Sequence, residues 1–566
     1  MTPVRSAATA SASAARRPWR ALGLIWLAAL LLDLWGIQHG PLRDWDESLV
    51  ARVALEFSDR SWSQWLQPTL WGEPYLNKPP AAHWLIGGLI GLWRASTAAT
   101  GLPPEWLIRL GPALGSSLLS PLLGLVQWQL RPGKRAAAIW TAAISLTLLP
   151  LVRHAHLAML DGLQLSAMAT VWLGLLLAQP SKRSCFSAGV LAGLGGALLL
   201  LLKAPVAVPV LLAALALRWA DRQLPRRSWL LLLAGLGRGL LPGLAWHGWH
   251  FSAQGEDALV MWGRQGFARV TSSLEHHAGG PLPPLIQVLS GGWPWLPLWP
   301  IAIRQAWQQR RSSWGRWCLG LTALVSLMVL PLQTQLPWYS LLLWPPFALC
   351  CGPVLASLIN EPQRRPLWRE GIARLWLGLG LLLLLAALVS AVTPALAPLQ
   401  PAAGLALPAG LGLVLVGDQL NRSGPVQRRR RAAWGLVLGW CLSLLALGSS
   451  PLWNWELNEN ASIVPLQPLV AAAGSPADQA ATPLIVEGTI GRRPSLRWYA
   501  QQPLGKRRHS QDLSQAPQVW LVSQAPTPEQ TRLAQRLGRD RIHASSCQLE
   551  RSGDQGWKRW LCRLRP

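Results

Sequence analysis

Residues 19–57, WRALGLIWLAALLLDLWGIQHGPLRDWDESLVARVALEF, join a long apolar run to three carboxylates that lie within four residues. The run is long enough to cross a bilayer, so it predicts a first transmembrane span at 21–37. Acids are scarce in this chain, which has 25 Asp and Glu against 52 Lys and Arg. The crowding of Asp44, Asp46 and Glu47 just after a span therefore marks the loop that follows it.

The composition of the whole chain agrees with a membrane protein. Of the 566 residues, 51% are hydrophobic and only 14% are charged, whereas soluble domains carry nearer a quarter charged residues. The net charge of +27 comes largely from Arg runs in short loops between apolar segments. Such a distribution indicates the positive-inside rule and excludes a nucleic-acid-binding protein, which would group its basic residues on a soluble face.

Repeated apolar runs predict about 13 transmembrane helices. We expect them near residues 21–37, 106–130, 136–152, 157–178, 184–202, 205–219, 229–250, 283–303, 316–331, 338–358, 375–393, 402–417 and 433–449. The shorter apolar segment 81–94 predicts an interfacial or re-entrant helix. With the N-terminus cytoplasmic, nearly every basic cluster falls on the inner side, and 38–105 becomes the first outer loop.

From residue 452 onward the composition is that of a soluble domain. PLIVEG (483–488), QVWLVSQ (518–524) and RIHASSCQLE (541–550) predict strands, and TPEQTRLAQRLGRD (527–540) predicts a helix with Thr527 as N-cap. We therefore predict an all-α polytopic membrane protein with a small extracytoplasmic α/β domain. Its parts are a cytoplasmic tail (1–20), a transmembrane domain (21–451) and the C-terminal domain (452–566). Cys547 and Cys562 are a candidate disulfide pair.

Charged residues gather near the outer ends of the predicted spans. An enzyme acting at the outer leaflet would gather charges there, whereas a proton-coupled transporter would carry them at mid-membrane. Only six lysines occur, and Lys78 in LNKPP and Lys203 in LLKAP are the two on the outer side of the membrane domain. An ammonium at the membrane edge suits a phosphate headgroup, and a lysine snorkelling from a helix end is the alternative.

Several motifs resemble the ArnT-like/PMT-type glycosyltransferases, which have the GT-C fold and use polyprenyl-phosphate sugar donors. The matching segments are DWDESLVARVALEF (44–57), WLQPTLWGEPYLNKPPAAHWLIGGLIGLW (65–93), EWLIRLGPALGSSL (105–118), MLDGLQLSAM (159–168), LLKAPVAVPVL (201–211), LEHHAGGPLPPLIQVLSGGWPW (274–295) and QTQLPWYSLLLWPP (333–346). The long GEPYLNKPP block is the specific part, because an acidic DE pair alone occurs widely.

The resemblance implies transfer of one sugar, with inversion, from a polyprenyl-phosphate-linked donor to a lipid, glycan or protein acceptor at the outer face. It implies catalytic roles for Asp46 as base, Glu47 as its partner and Asp161 as a second acid. It implies phosphate contacts for Lys78, and more weakly for the cations Arg109, Lys203 and Arg264. The host membrane is expected to be the inner membrane of a bacterium.

The chain departs from the family pattern at several positions. The DE pair is usually followed by Arg-Tyr in the family, but here it is followed by Ser48, Leu49 and Val50. The chain also has Ala204 where a glycine is usual and Gln335 where the family has a lysine. Asn77 stands where an acid can help to bind a divalent cation, and a neutral amide is the weaker ligand. His277 or His276 could still serve as a ligand, so a divalent cation stays open as a cofactor.

Structural roles compete with these assignments. Asp44 with Glu47 fits a capping-box-like start to an amphipathic helix over 47–57, and Asp46 could itself be the N-cap. Arg109 fits a structural ion pair as well as a phosphate contact, and Arg52 with Glu56 fits a solvated i,i+4 pair. Two other functional classes remain beside the enzyme: a lipid-linked-sugar flippase and a catalytically lapsed scaffold.

Overall fold

The computed structural model describes residues 18–99, 101–263, 266, 268–272, 280–361, 367–422, 425–453, 466–471, 484–486, 493–501, 518–531, 547–553 and 556–563. Two compact units account for the chain. The helical unit comprises residues 1–37, 76–82 and 109–453, and the mixed unit comprises 38–75, 83–108 and 454–566. The segment 38–105 thus contributes to both units, and the domain boundaries expected from composition stay a prediction.

Helices make up most of the described chain. The first ten are α1 (Trp19–Leu34), α2 (Asp46–Ser58), α3 (Ala81–Thr97), α4 (Glu105–Ser117), α5 (Leu119–Leu130), α6 (Arg135–Thr147), α7 (Leu149–Ala155), α8 (Asp161–Leu177), α9 (Lys182–Ala220) and α10 (Arg226–Gln254). They are followed by α11 (Ala268–Thr271), α12 (Leu282–Gly291), α13 (Leu298–Gln308), α14 (Ser313–Val329), α15 (Trp344–Asn360), α16 (Leu367–Val392), α17 (Gln400–Asn421), α18 (Val426–Gly448), α19 (Gln467–Ala471) and α20 (Pro494–Ala500).

The helical unit has the length and apolarity of a multi-span membrane protein. Within the described residues, seven helices are long and apolar enough to cross a bilayer, or eight if α6 and α7, which meet at a 62° bend, form one span. The predicted count of 13 is not confirmed. The predicted spans 184–202 and 205–219 lie in the single helix α9, which is interrupted at Lys203.

Small residues allow α9 and α10 to approach each other closely. Gly189 and Gly193 of α9 face Gly235 and Gly239 of α10, and a Cβ placed on any of these four glycines would lie 2.2–2.4 Å from a backbone oxygen of the partner helix. Only glycine permits such an approach, which replaces side-chain packing by direct backbone contact. This pairing holds α9 against α10 on the side of the Lys203 interruption where α9 begins.

The mixed unit combines helices with two small sheets. Strands β1 (Thr69–Leu70) and β2 (Glu73–Pro74) form a hairpin, and the second sheet contains β3 (Leu484–Val486), β4 (Gln518–Ser523), β5 (Cys547–Ser552) and β6 (Lys558–Arg563). The order of the second sheet is β3-β4-β6-β5, with β3 parallel to β4 and the other pairs antiparallel. The small C-terminal sheet agrees with the predicted α/β character.

Details of the C-terminal prediction fare unevenly. Cys547 and Cys562 face each other on β5 and β6 and form a disulfide. Thr527 precedes only a short 3-10 turn, Pro528–Gln530, and makes no side-chain cap, so its predicted capping role is wrong. Most of the predicted helix, at 532–540, lies outside the described residues. Strand β6 and helix α20 were not predicted from the local pattern.

Candidate active site

A break in helix α9 places Lys203. Pro205 lacks an N–H, and its ring collides with the carbonyl four residues earlier, so the helix cannot continue regularly through this point. Lys203 takes φ −154° and ψ 80°, an extended conformation within an otherwise helical stretch. The LLKAP motif therefore turns one lysine out of helical register, and the side chain is 30% exposed.

Asp161 and Tyr339 meet Lys203 at this break. The Lys203 Nζ lies 3.3 Å from Oδ1 of Asp161, the first residue of α8, where the helix dipole also favours a carboxylate. The same Nζ lies 5.0 Å from the centroid of the Tyr339 ring, within the range of a cation–π contact. Two predicted residues are thus brought together, and Tyr339 is a third that we did not assign from the sequence. Its signal was available in the QTQLPWYSLLLWPP motif and in the presence of only three tyrosines in the chain.

The segment that contains Lys78 packs beside this cluster. Ala82, four residues after Lys78, is buried in a small apolar cluster with Leu160, Leu163 and Leu202. Leu160 precedes Asp161 and Leu202 precedes Lys203. The residues just after KPP therefore pack against the neighbours of Asp161 and Lys203. The Lys78 side chain is partly exposed.

Arg109 has a structural contact in the same unit. Its guanidinium is buried, and Nη1 donates to the carbonyl oxygen of Ile37 at 2.9 Å. Ile37 lies three residues after α1 ends, where carbonyl groups lack helical partners. Arg109 thus binds the segment that follows α1. This is a structural contact, as the alternative to a phosphate contact predicts, but the partner is a backbone carbonyl and not an acid.

Asp46 lies in the mixed unit at the start of α2, partly exposed. Tyr75 of the GEPYL motif is buried against Val53 and Phe57. Burial raises the pKa of the Tyr75 phenol, and the negative charge of Asp46 raises it further. The acid of the DE pair and the tyrosine of the KPP block are therefore electrostatically coupled, and this phenol stays protonated.

Glu47 is fully buried and has a local role. Its Oε2 accepts a hydrogen bond from the Arg43 N–H at 2.9 Å, while the Ser48 hydroxyl donates to the Arg43 carbonyl at 2.8 Å. A glutamate that reaches back to the backbone before a helix is the second half of a capping box. Ser48, one of the departures from the family pattern, thus takes part in fixing the turn that presents Asp46.

Asp44 is not the cap of α2, so that prediction is wrong. The residue before α2 is Trp45, whose side chain makes no capping hydrogen bond. Asp44 is buried and accepts from the N–H and hydroxyl of Ser495 at 3.0 and 2.8 Å and from Arg493 at 3.1 Å. Burial raises the pKa of Asp44, and the hydrogen bonds from Ser495 and the charge of Arg493 oppose the rise. Asp44 therefore caps α20 of the C-terminal region instead.

Three further hydrogen bonds, made by two residues, fix α20 to the same unit. The Tyr499 hydroxyl accepts from the Leu42 N–H and donates to Glu105, both at 2.9 Å. Gln501 follows α20 and accepts from Arg52 at 3.3 Å. Residues 42–52 of the mixed unit are thus held by four positions within or beside one short helix: Arg493, Ser495, Tyr499 and Gln501.

Glu56 is not part of a solvated pair, which corrects a second expectation. Arg52 does pair with it at 2.9 Å, but Glu56 is buried and also accepts from Thr69 Oγ1 and the N–H of Trp71. Trp71 has φ +57° and Gly72 has φ +80°, as a tight two-residue hairpin turn requires. The Glu56 carboxylate and the Arg52 guanidinium, 3.7 Å above the Trp71 ring, hold a non-glycine residue in this left-handed conformation.

The remaining predicted residues divide into two groups. Gln335 is buried and donates from Nε2 to the Val329 carbonyl at 2.7 Å, so the replacement of the family lysine serves the loop before Tyr339. Arg264, His276 and His277 lie outside the described residues. Among the described residues, no group of three His, Cys, Asp or Glu is placed to hold a metal ion, and no catalytic step is assigned to one.

Similar proteins were found by sequence and by structure. No protein-family model matches the chain. The chain is 40% identical over 87 residues to undecaprenyl phosphate-alpha-4-amino-4-deoxy-L-arabinose arabinosyl transferase 2 of Pseudomonas fluorescens (strain Pf0-1), a match that spans 15% of this chain and 16% of that relative's length. It is 27% identical over 430 residues to undecaprenyl phosphate-alpha-4-amino-4-deoxy-L-arabinose arabinosyl transferase of Pectobacterium carotovorum subsp. carotovorum (strain PC1), covering 72% of this chain and 71% of the relative.

Two solved structures share the fold over nearly the whole chain. ArnT from Cupriavidus metallidurans bound to undecaprenyl phosphate superposes with a TM-score of 0.68 at 19% identity, covering 95% of this chain and 97% of that one. The apo state of the same protein gives 0.66 at 18% identity with the same coverage. The resemblance inferred from the motifs is thereby confirmed: the chain has the fold of ArnT and is similar in sequence to ArnT-type arabinosyl transferases.

Proposed function

We propose that the chain is an integral-membrane glycosyltransferase that moves a single sugar from a polyprenyl-phosphate-linked donor to an acceptor, with inversion. The acceptor is a lipid, a glycan or a protein. The names of the sequence relatives and the undecaprenyl phosphate of one solved neighbour support this class of donor. The many apolar helices support a multi-pass protein of a bacterial inner membrane. In this proposal the N-terminus is cytoplasmic, and the reaction occurs at the outer face.

The single observation that carries the proposal is the group formed by Lys203, Asp161 and Tyr339, which we call the Lys203 cluster. An ammonium group has three donors, and among the described residues the only hydrogen-bond acceptor of Lys203 is Asp161. The partly exposed Nζ therefore keeps donor capacity for an anion. A phosphate bound there would gain charge-assisted hydrogen bonds at the position where negative charge develops as the sugar leaves.

The roles of the other residues follow from their chemistry. Lys78, whose segment packs beside this cluster, supplies the second cation for the leaving phosphate. Asp161 orients Lys203, and Asp46 takes the proton from the acceptor nucleophile. Glu47 supports Asp46 indirectly, because its carboxylate is buried and committed to the turn before α2. Arg109 supports the fold through Ile37 rather than the phosphate.

A direct assay tests the proposal. Purified full-length protein is incubated with a panel of polyprenyl-phosphate sugars and candidate acceptors, and release of polyprenyl phosphate is measured. We expect turnover with at least one donor, and loss of turnover in Asp46→Asn and Lys78→Ala. Asp418→Asn, which changes an acid of α17 paired with Arg422, is the matched control and should retain activity. Absence of turnover across the panel, with donor movement between the leaflets of proteoliposomes, would replace the enzyme by a flippase.

A further inference from the structure

Helix α1 contains one acid that the proposed reaction does not use. Asp33 is the next-to-last residue of this largely apolar helix and is only 6% exposed. In the part of the chain that the structure describes, no hydrogen-bond donor and no basic side chain contacts its carboxyl group. An ionised carboxylate in apolar surroundings is costly without a compensating positive charge, so ionisable residues inside membrane segments usually have a function.

Asp33 lines a small cavity within the helical unit. The cavity measures about 20 Å³, enough for one water molecule or an ion of similar size. Besides Asp33, its polar lining comes from α4 to α7 and consists of Ser116, Ser117, Ser120, Ser145 and His154. A carboxylate and four serine hydroxyls around a space of this size form an oxygen-rich environment.

The hydrogen bonds of these serines show what the cavity offers. Ser116 donates its hydroxyl proton to the Pro112 carbonyl at 2.7 Å, and Ser117 donates to the Leu114 carbonyl at 2.7 Å. Ser120 donates to the Ser145 hydroxyl at 3.3 Å. Three of the four hydroxyl protons are therefore already committed. The Ser117 oxygen also accepts from the Trp26 indole N–H at 3.2 Å, and the Ser145 oxygen accepts from Ser120, so each of these two oxygens offers its remaining lone pair.

His154 adds to the same imbalance. Its Nδ1 lies 2.9 Å from the Pro150 carbonyl oxygen, which can only accept, so in the neutral ring the proton resides on Nδ1. The other ring nitrogen, Nε2, is then also an acceptor. The polar groups of the lining thus offer mainly lone pairs, and the Asp33 carboxylate would supply one negative charge, a pattern that suits a cation rather than an anion.

We propose that this cavity binds one monovalent cation of the size of Na⁺, with the Asp33 carboxylate as counter-charge and serine hydroxyl oxygens as further ligands. Hard cations prefer carboxylate, hydroxyl and carbonyl oxygens. One carboxylate neutralises a single positive charge, whereas a divalent ion would keep an uncompensated charge in apolar surroundings. The site is separate from the Lys203 cluster in its residues and does not depend on the proposed reaction.

Thermal unfolding of the full-length protein tests the site. The protein is purified in detergent in choline chloride, and unfolding is followed by the fluorescence of its 36 tryptophans while NaCl replaces choline chloride at constant ionic strength. A ligand that binds only the folded state raises the Tm. We expect a saturable rise of about 3 °C or more in wild type at 100 mM Na⁺. We expect no such rise in Asp33→Asn, and the full rise in the control Asp418→Asn.

A second variant keeps the test decisive if Asp33→Asn does not fold. Ser145→Ala retains the acid but removes one oxygen ligand, so the Na⁺ concentration for the half-maximal Tm shift should increase several-fold. Binding of radioactive ²²Na⁺ should approach one ion per wild-type chain. The proposal is overturned if Na⁺ and choline give wild type the same Tm, as a protonated Asp33 beside a water would. It is equally overturned if Asp33→Asn keeps the Na⁺ dependence.

Discussion

Two acid–base pairs in this protein have similar geometry and different surroundings. In the mixed unit, Asp44 lies 3.1 Å from Arg493, is almost completely buried, and also accepts two hydrogen bonds from Ser495. In the helical unit, Asp161 lies 3.3 Å from Lys203, whose side chain is 30% exposed. The first pair has a saturated carboxylate, and the second has a cation with unused donors. Distance alone therefore does not separate a structural ion pair from a ligand site, whereas hydrogen-bond capacity does.

The largest effect is expected from Asp44→Ala. The substitution leaves the buried N–H and hydroxyl of Ser495 without their acceptor, which costs about 3 kcal/mol or more of folding stability. Thermal unfolding and limited proteolysis of the C-terminal region measure this loss. Arg493→Ala, which keeps both Ser495 bonds, should cost less. Equal stability of Asp44→Ala and wild type would show that the saturated pair is not structural.

Lys203→Met is expected to reduce kcat/KM for the donor about 100-fold, which corresponds to roughly 2.7 kcal/mol. The side chain keeps its length but loses the charge that, in the proposed function, binds the leaving phosphate. Release of polyprenyl phosphate measures the effect, and an unchanged Tm separates it from unfolding. Lys558→Met in β6 is the matched control and should stay within about twofold of wild type. Normal turnover in Lys203→Met would remove the cluster from the site.

Tyr339→Ala should lower kcat/KM by about 2- to 30-fold, because the aromatic face near Lys203 contributes about 0.5–2 kcal/mol. Tyr339→Phe keeps the ring and should stay within about threefold of wild type. The ratio of these two variants, measured in the same release assay, distinguishes the ring from the hydroxyl. If Phe is as damaging as Ala, the hydroxyl rather than the cation–π contact matters.

The smallest effect is expected from Arg374→Ala. Arg374 pairs with Glu370 at 3.1 Å, but its side chain is 74% exposed, and exposed pairs of this kind contribute less than about 0.5 kcal/mol. Neither Tm nor donor turnover should change measurably. A clear loss of stability would mean that exposed ion pairs in this chain are as important as buried ones, contrary to the comparison above.

Hydrophobic periodicity and composition correctly predicted the helices and strands that form because of their own local sequence. The apolar run of α1, the amphipathic α2 and the strand at Gln518–Ser523 follow from periodicity and composition. The break at Lys203 was less accessible, because two prolines close together in an apolar run read equally well as a loop between two spans. Tyr339 was visible as a motif residue, but its neighbour Lys203 is 136 positions away and joins it only in the folded chain.

The roles of Asp44 and Glu56 could not be derived from the sequence in this way. Each acid has a residue three or four positions away that suggests a local role. Asp44 with Glu47 fits a capping box, and Glu56 with Arg52 fits an i,i+4 pair. Their actual partners include a serine hundreds of residues away and a hairpin turn with a left-handed tryptophan. Such contacts depend on tertiary packing, which short-range patterns do not encode.

The contact between Asp44 and Ser495 also has a consequence for biosynthesis. The two residues are separated by 451 positions, so the acid emerges from the ribosome long before its hydrogen-bond donors exist. At about 5–20 residues per second, the interval is roughly 20 to 90 seconds. During this time the early segment must remain hydrated or held by other factors. Chains that terminate before helix α20 cannot form the Asp44–Ser495 contact. The segment that presents Asp46 therefore becomes fully stabilised only after translation has reached about the last 75 residues.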